Sequence, residues 1–136
     1  IRENEISRQA HYAACNERVR ACLVRAQQEI GRRSGDLVTE GSDQGSVVFP
    51  QAEVKIYLDA DERVRAQRRQ KELASRGKDV PLDQLLDEIR RRDHSDRSRA
   101  VGPLKVAEGA VVVDTSNMTI DQVVEHLAAM VRQKQG

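Results

Sequence analysis

Three features of the sequence predict an α/β domain built on a parallel sheet. Two apolar runs, Val54-Lys55-Ile56-Tyr57-Leu58-Asp59 and Ala110-Val111-Val112-Val113-Asp114, read as strands, and the second lacks alternation, as expected where both faces are covered. Helical patterns alternate with these runs. Carboxylates stand at or just past the strand ends, where open α/β sheets place their ligands.

The elements follow in chain order. Between Glu3 and Ile30, Ile6, Ala10, Ala13 and Ala14, then Val19, Cys22, Leu23, Ala26 and Ile30, recur at helical spacing, predicting one broken or two short helices stopped by Gly31. Leu37, Val38 and Thr39 predict a short strand that Gly41 ends, and Val47-Val48-Phe49-Pro50 closes the loop after it. Asp61 is placed to cap a charged helix from about residue 62 to 74, ending near Gly77. Pro81 opens a helix in which Leu82, Leu85, Leu86 and Ile89 form one apolar stripe through about Arg92, and an Arg/Asp-rich segment continues to Arg99. Ile120, Val123, Val124, Leu127 and Met130 mark a last helix over residues 119–132.

Composition limits the function. Of 136 residues, 38% are hydrophobic and 33% charged, which excludes a low-complexity disordered chain, and no apolar run approaches the ~18 residues of a membrane span. Lys+Arg 23 against Asp+Glu 22 leaves a net charge of +1, so no bulk field announces a nucleic-acid or membrane partner. Tyr12, Phe49 and Tyr57 are the whole aromatic complement, too few for a base-stacking platform. Cys15 and Cys22 lie seven apart on a predicted helix, about 10 Å along its axis, and cannot pair there; they read as structural thiols of a reducing, cytoplasmic compartment. His11, His94 and His126 show no metal-ligand spacing, and the chain has no GxSxG, HExxH or GxxxxGK[ST] motif.

Of the 23 cations, 18 are Arg and 5 are Lys, and Arg suits planar recognition of phosphate and carboxylate. Position decides whether that skew is functional or only codon usage. Arg92, Asp96 and Arg99, if helical, share one face at spacings of four and three, able to grip a phosphate and a hydroxyl together or simply to hold a solvated helix by ion pairs. Arg65, Arg68 and Arg69, beside Arg63, share a face of the preceding helix and either meet water or close over a polyphosphate. Glu40-Gly41-Ser42-Asp43-Gln44-Gly45-Ser46 sets a glycine-flanked carboxylate at the end of the first predicted strand, as an ordinary turn or as a ligand contact.

Taken together, Glu40-Gly41-Ser42-Asp43-Gln44-Gly45-Ser46-Val47-Val48-Phe49-Pro50, Val54 to Ala60, Arg92-Asp93-His94-Ser95-Asp96-Arg97-Ser98-Arg99, Pro103-Leu104 and Val112-Val113-Asp114-Thr115-Ser116 closely resemble bacterial cytidylate kinases, with the spacing between blocks kept from Ile1 to the C-terminus. The resemblance implies a P-loop nucleoside monophosphate kinase fold with a three-layer parallel sheet, in which residues 1–136 are the C-terminal portion of one core domain with a lid segment at about 63–80. The phosphate-loop strand and most of the NMP-binding region would then lie upstream, in a missing N-terminal part of the same kinase.

The implied activity is transfer of the ATP γ-phosphoryl group to CMP or dCMP, with Mg²⁺, by a cytoplasmic enzyme of pyrimidine metabolism that is monomeric when complete and inactive as this portion alone. Arg20 and Asp43 then resemble the residues that read the cytosine edge. Arg92 and Asp96 resemble sugar and phosphate contacts, Arg99 a further nucleotide contact, and Arg68 with Arg65 and Arg69 the lid arginines over ATP, so that Arg92 and Arg68 carry the expected catalytic roles. Three positions depart from the family pattern: Ser42 stands where an Arg is usual, His11 where a small hydroxyl residue is, and Ser95 where another Arg is. A degenerate, non-catalytic kinase-like domain binding a nucleotide or a protein is the alternative.

Overall fold

The computed structural model describes residues 16–99 and 102–135 of the chain, so His11, Tyr12 and Cys15 lie outside the described residues. These fall into two compact units, one of residues 16–51, 97–99 and 102–108 and one of 52–96 and 109–135.

The first unit is led by helix α1 (Glu17–Ser34). Asn16 caps it, its side chain accepting from the backbone N–H groups of Arg18 and Val19 at 3.0 and 3.2 Å. Arg32 and Arg33 in the last turn suit the negative end of the helix dipole, and both pair with Glu29. Gly31 does not stop the helix. The chain stays helical for three more residues and turns at Gly35, whose φ of 68° is the left-handed conformation glycine tolerates. Gly31 is small for a different reason: a Cβ there would lie 2.7 Å from the Phe49 ring.

A second expectation also fails in this unit. Residues 37–39 form no strand, and Val38 is 98% exposed. A strand persists only where its N–H and C=O groups find a neighbour, and the described part of this unit contains no other strand. The loop closes through a single π-helical turn, Gln44–Val48, in which the Asp43 carbonyl accepts from the N–H groups of Val47 and Val48 at 2.8 and 3.2 Å. Val48 is buried at its end.

The second unit is a βααβα arrangement: β1 (Ile56–Asp59), α2 (Glu62–Ala74), α3 (Leu82–Ser98), β2 (Val111–Asp114) and α4 (Ile120–Gln135), with the last two residues of α3 grouped in the first unit. The strands pair in parallel, Ile56 opposite Val111 through Asp59 opposite Asp114, so that the two aspartates end the sheet side by side. Asp61 caps α2 by accepting from the N–H groups of Arg63 and Val64. Thr119 and Gln122 cap α4 reciprocally, each side chain bonded to the other's backbone N–H. Ala60, Ala66, Leu85 and Val113 are the buried apolar side chains of this unit.

Strand β2 is not covered on both faces as its composition suggests: Val111 and Val112 remain 51% and 53% exposed, and only Val113 is buried. The apolar stripe of α4 is divided in the same way, with Ile120 and Val124 exposed while Val123, Leu127 and Met130 are half-buried. Two strands of four residues offer too little surface to cover them.

Candidate functional site

In the first unit, α1 turns one stripe of its surface toward the 37–49 segment. Arg20, Gln27, Gln28 and Gly31 fall within about 100° around the helix. The Arg20 guanidinium forms an ion pair with the Asp43 carboxylate, both side chains 14% exposed. Seven and eight residues on, Gln27 meets Gln44, and the Gln28 amide donates to the Val48 carbonyl at 2.9 Å. The contact is largely polar. Val19, Leu23 and Ile30, the apolar residues whose spacing identifies the helix, lie on another face and are 40%, 52% and 58% exposed, and Cys22 is an exposed free thiol rather than a packed one. Helical periodicity thus gives the element but not the face it packs.

The pair Arg20–Asp43 is a donor-rich cation against an acceptor-only anion. Such a pair can open to a planar heterocycle that offers acceptors beside an amine. Ser42 is half-buried beside it, and Arg99 is also half-buried in this unit, just past the end of α3.

In the second unit, α3 is helical beyond Arg92, and the four-residue spacing brings Arg92 Nε to 3.6 Å from Asp96 Oδ2. The Arg92 side chain is 78% exposed and Asp96 14% exposed, so the cation stands in solvent over a sheltered carboxylate. A pair of this length whose cation stands in solvent holds weakly and leaves the guanidinium able to reach a phosphate.

Of the four arginines of α2, Arg65, Arg68 and Arg69 diverge in their contacts. Arg65 donates through Nε to the Ala60 carbonyl at 2.9 Å and grips Asp93 with both terminal nitrogens, at 3.0 and 2.7 Å. That fork holds the Arg65 proton still more firmly than usual. Arg68 reaches the other strand end, bonding Thr115 Oγ1 at 3.2 Å, the Thr115 carbonyl at 2.5 Å and the Met118 carbonyl at 3.3 Å. All three acceptors are neutral. Arg69 pairs with Glu72 one turn along. Arg65 and Arg68 therefore fasten α2 to the carboxyl ends of β1 and β2, contacts that spacing along one helix does not reveal. Asp114 accepts from both the N–H and the hydroxyl of Ser116, which hold its carboxyl below the usual range.

His94 and His126 are exposed, and the described residues contain no group of three or more His, Cys, Asp or Glu side chains able to hold a metal ion. No described helix is long and apolar enough to cross a membrane.

The chain matches the family model described as cytidylate kinase over residues 1–133. Among curated proteins it is 49% identical over its whole length to the cytidylate kinase of Aeromonas salmonicida. It is 46% identical, over 98% of its length, to those of an Enterobacter species and of Vibrio cholerae. In each comparison it spans 59% of the relative's own length. A match that runs nearly from end to end, through both units and every residue cluster described above, places this chain in the cytidylate kinase family.

Proposed function

We propose that the whole protein containing this chain transfers the γ-phosphoryl group of ATP to CMP or dCMP, giving the diphosphate, in the cytoplasm. The observation that carries this reading is the sheltered Arg20–Asp43 pair in a chain of this family. Arg can donate to O2 and N3 of cytosine while Asp accepts from the exocyclic amine, which a uracil edge lacks. Arg92, Asp96 and Arg99 would contact the sugar and phosphate of the acceptor. Arg68, Arg65 and Arg69, on the segment of about 63–80 proposed as a lid, would approach ATP by exchanging some of their present partners for phosphate oxygens. Arg92 and Arg68 would stabilise the charge that spreads over the phosphoryl oxygens in the transition state.

Mg²⁺, which takes one or two carboxylates besides phosphates and water, would arrive with the nucleotide. Bound there, it would offset charge on the phosphates. We further propose that this chain is the C-terminal part of one kinase core. The phosphate loop would come from the remaining two-fifths of the length its relatives have, the complete protein would act as a monomer, and this portion alone would be inactive. The half-exposed Leu58, Val111 and Val112 support the view that further chain covers this sheet.

The experiment is a coupled assay of the whole protein with ATP against CMP, dCMP, UMP and AMP. Phosphorylation of CMP and dCMP above the others supports the reading, and equal rates with AMP sink it. One observation favours a second reading: Ser42 is neutral where the family pattern has a cation. Tight CMP binding without turnover would establish a non-catalytic, kinase-like nucleotide-binding domain instead.

A further inference from the structure

Next to Asp43 in the chain, Gln44 uses both ends of its side-chain amide. Its Nε2 donates to Gln27 Oε1 on α1 at 2.9 Å, and its Oε1 accepts from the Thr39 hydroxyl at 3.2 Å. The side chain lies over Gly41, where a Cβ would come within 3.0 Å of Gln44 Cγ. The Asp43 carbonyl is meanwhile fixed by the N–H groups of Val47 and Val48, and the Gln44 carbonyl by that of Phe49 at 2.7 Å. The segment that carries Asp43 is thus held twice, by these backbone bonds and by the Gln44 amide on helix α1. Gln27 stands two helical turns from Arg20 on the same stripe, so one helix face holds both the partner of Asp43 and the partner of its neighbour.

We propose that Gln44, anchored by Gln27, is a positioning residue that sets the Asp43 carboxylate against Arg20 and so determines the affinity for the nucleobase. This rests on the reading above in which Arg20 and Asp43 take the base. Neither glutamine needs to touch the reacting phosphates, so their loss acts on the KM for CMP and leaves kcat and the KM for ATP in place. The link between the two glutamines is a single hydrogen bond, so once Gln44 is replaced the loss of Gln27 adds nothing.

Steady-state kinetics of the whole protein test this with Gln44→Leu, Gln27→Leu, the double variant, Gln27→Glu and Asp43→Asn. Gln27→Glu keeps an acceptor for the Gln44 amide and should behave as the parent. Gln27→Leu should raise the KM for CMP about fivefold, the worth of one net hydrogen bond, and Gln44→Leu, which also loses the Thr39 bond, at least as much, with the double variant no worse than Gln44→Leu. Leu variants within about twofold of the parent, an additive double variant, or a fall in kcat with both KM values rising would overturn the proposal. If Asp43→Asn leaves the KM for CMP unchanged, base reading and positioning fall together. If Asp43→Asn raises it and the glutamine variants do not, positioning falls alone.

Discussion

Gly31 shows how one residue can carry two readings. In sequence it closes an apolar pattern and looks like a helix stop; in the structure it is interior to α1, and the Phe49 ring occupies the space a Cβ would take. Gly31→Ala should therefore destabilise the protein, although alanine improves helix propensity by about 1 kcal/mol, because overpacking of this kind costs roughly 1–3 kcal/mol. Thermal denaturation gives the sign directly, and a raised midpoint would show that Phe49 moves aside freely.

Asp114 gives a residue-level prediction in pH. Its folded pKa lies below the ordinary value because Ser116 donates to it twice. The resulting stability is present above the unfolded carboxylate pKa and is lost as pH falls through the depressed folded one. Ser116→Ala should return the Asp114 titration, followed by NMR of its side-chain carbon, toward the ordinary range.

At the scale of elements, helices α2 and α3 were legible because their boundaries are written in local chemistry. Asp61 caps one and Pro81 opens the other, and of its apolar stripe Leu85 is buried while Leu82, Leu86 and Ile89 are half-buried. What spacing could not supply was the clamp between them: Arg65 on Asp93 and Arg90 on Glu62, two ion pairs three residues apart on each helix. Residues 28 positions distant become partners only once both helices exist. Asp93→Asn should lower stability by about 1 kcal/mol through the loss of a forked, half-sheltered pair, and Glu62→Gln by less, since that pair faces solvent. Urea titrations of the two variants would separate them, and equal losses would contradict the ranking. Leu37 to Thr39 failed as a strand for the converse reason: β propensity needs a neighbouring ladder, which no stretch of local sequence can guarantee.

For the molecule as a whole, a parallel sheet was readable from two apolar runs ending in carboxylates, but the direct pairing of β1 with β2, their register and the burial of those runs were not. Composition reports the cover a strand is suited to, whereas exposure reports the cover present in 136 residues. The candidate site was legible unevenly. Arg92 and Asp96 meet as the helical spacing implies, while the pairing of Arg20 with Asp43 and the fastening of Arg65 and Arg68 to strand ends required the tertiary structure. With Leu58, Val111, Val112, Ile120 and Val124 turned to solvent, residues 1–136 expressed alone should enhance the fluorescence of an apolar dye. A dye signal no stronger than that of a compact native domain would count against further chain covering the sheet.

We propose that Asp43, held against Arg20, selects cytosine for phosphoryl transfer. The most direct test is the ratio of kcat/KM for CMP to that for UMP, measured with ATP on the whole protein and on its Asp43→Asn variant. The variant should lose most of the preference for CMP, since an amide in place of the carboxylate can turn its N–H groups toward a uracil carbonyl. A ratio that stays at the parent value would rule out base selection by Asp43.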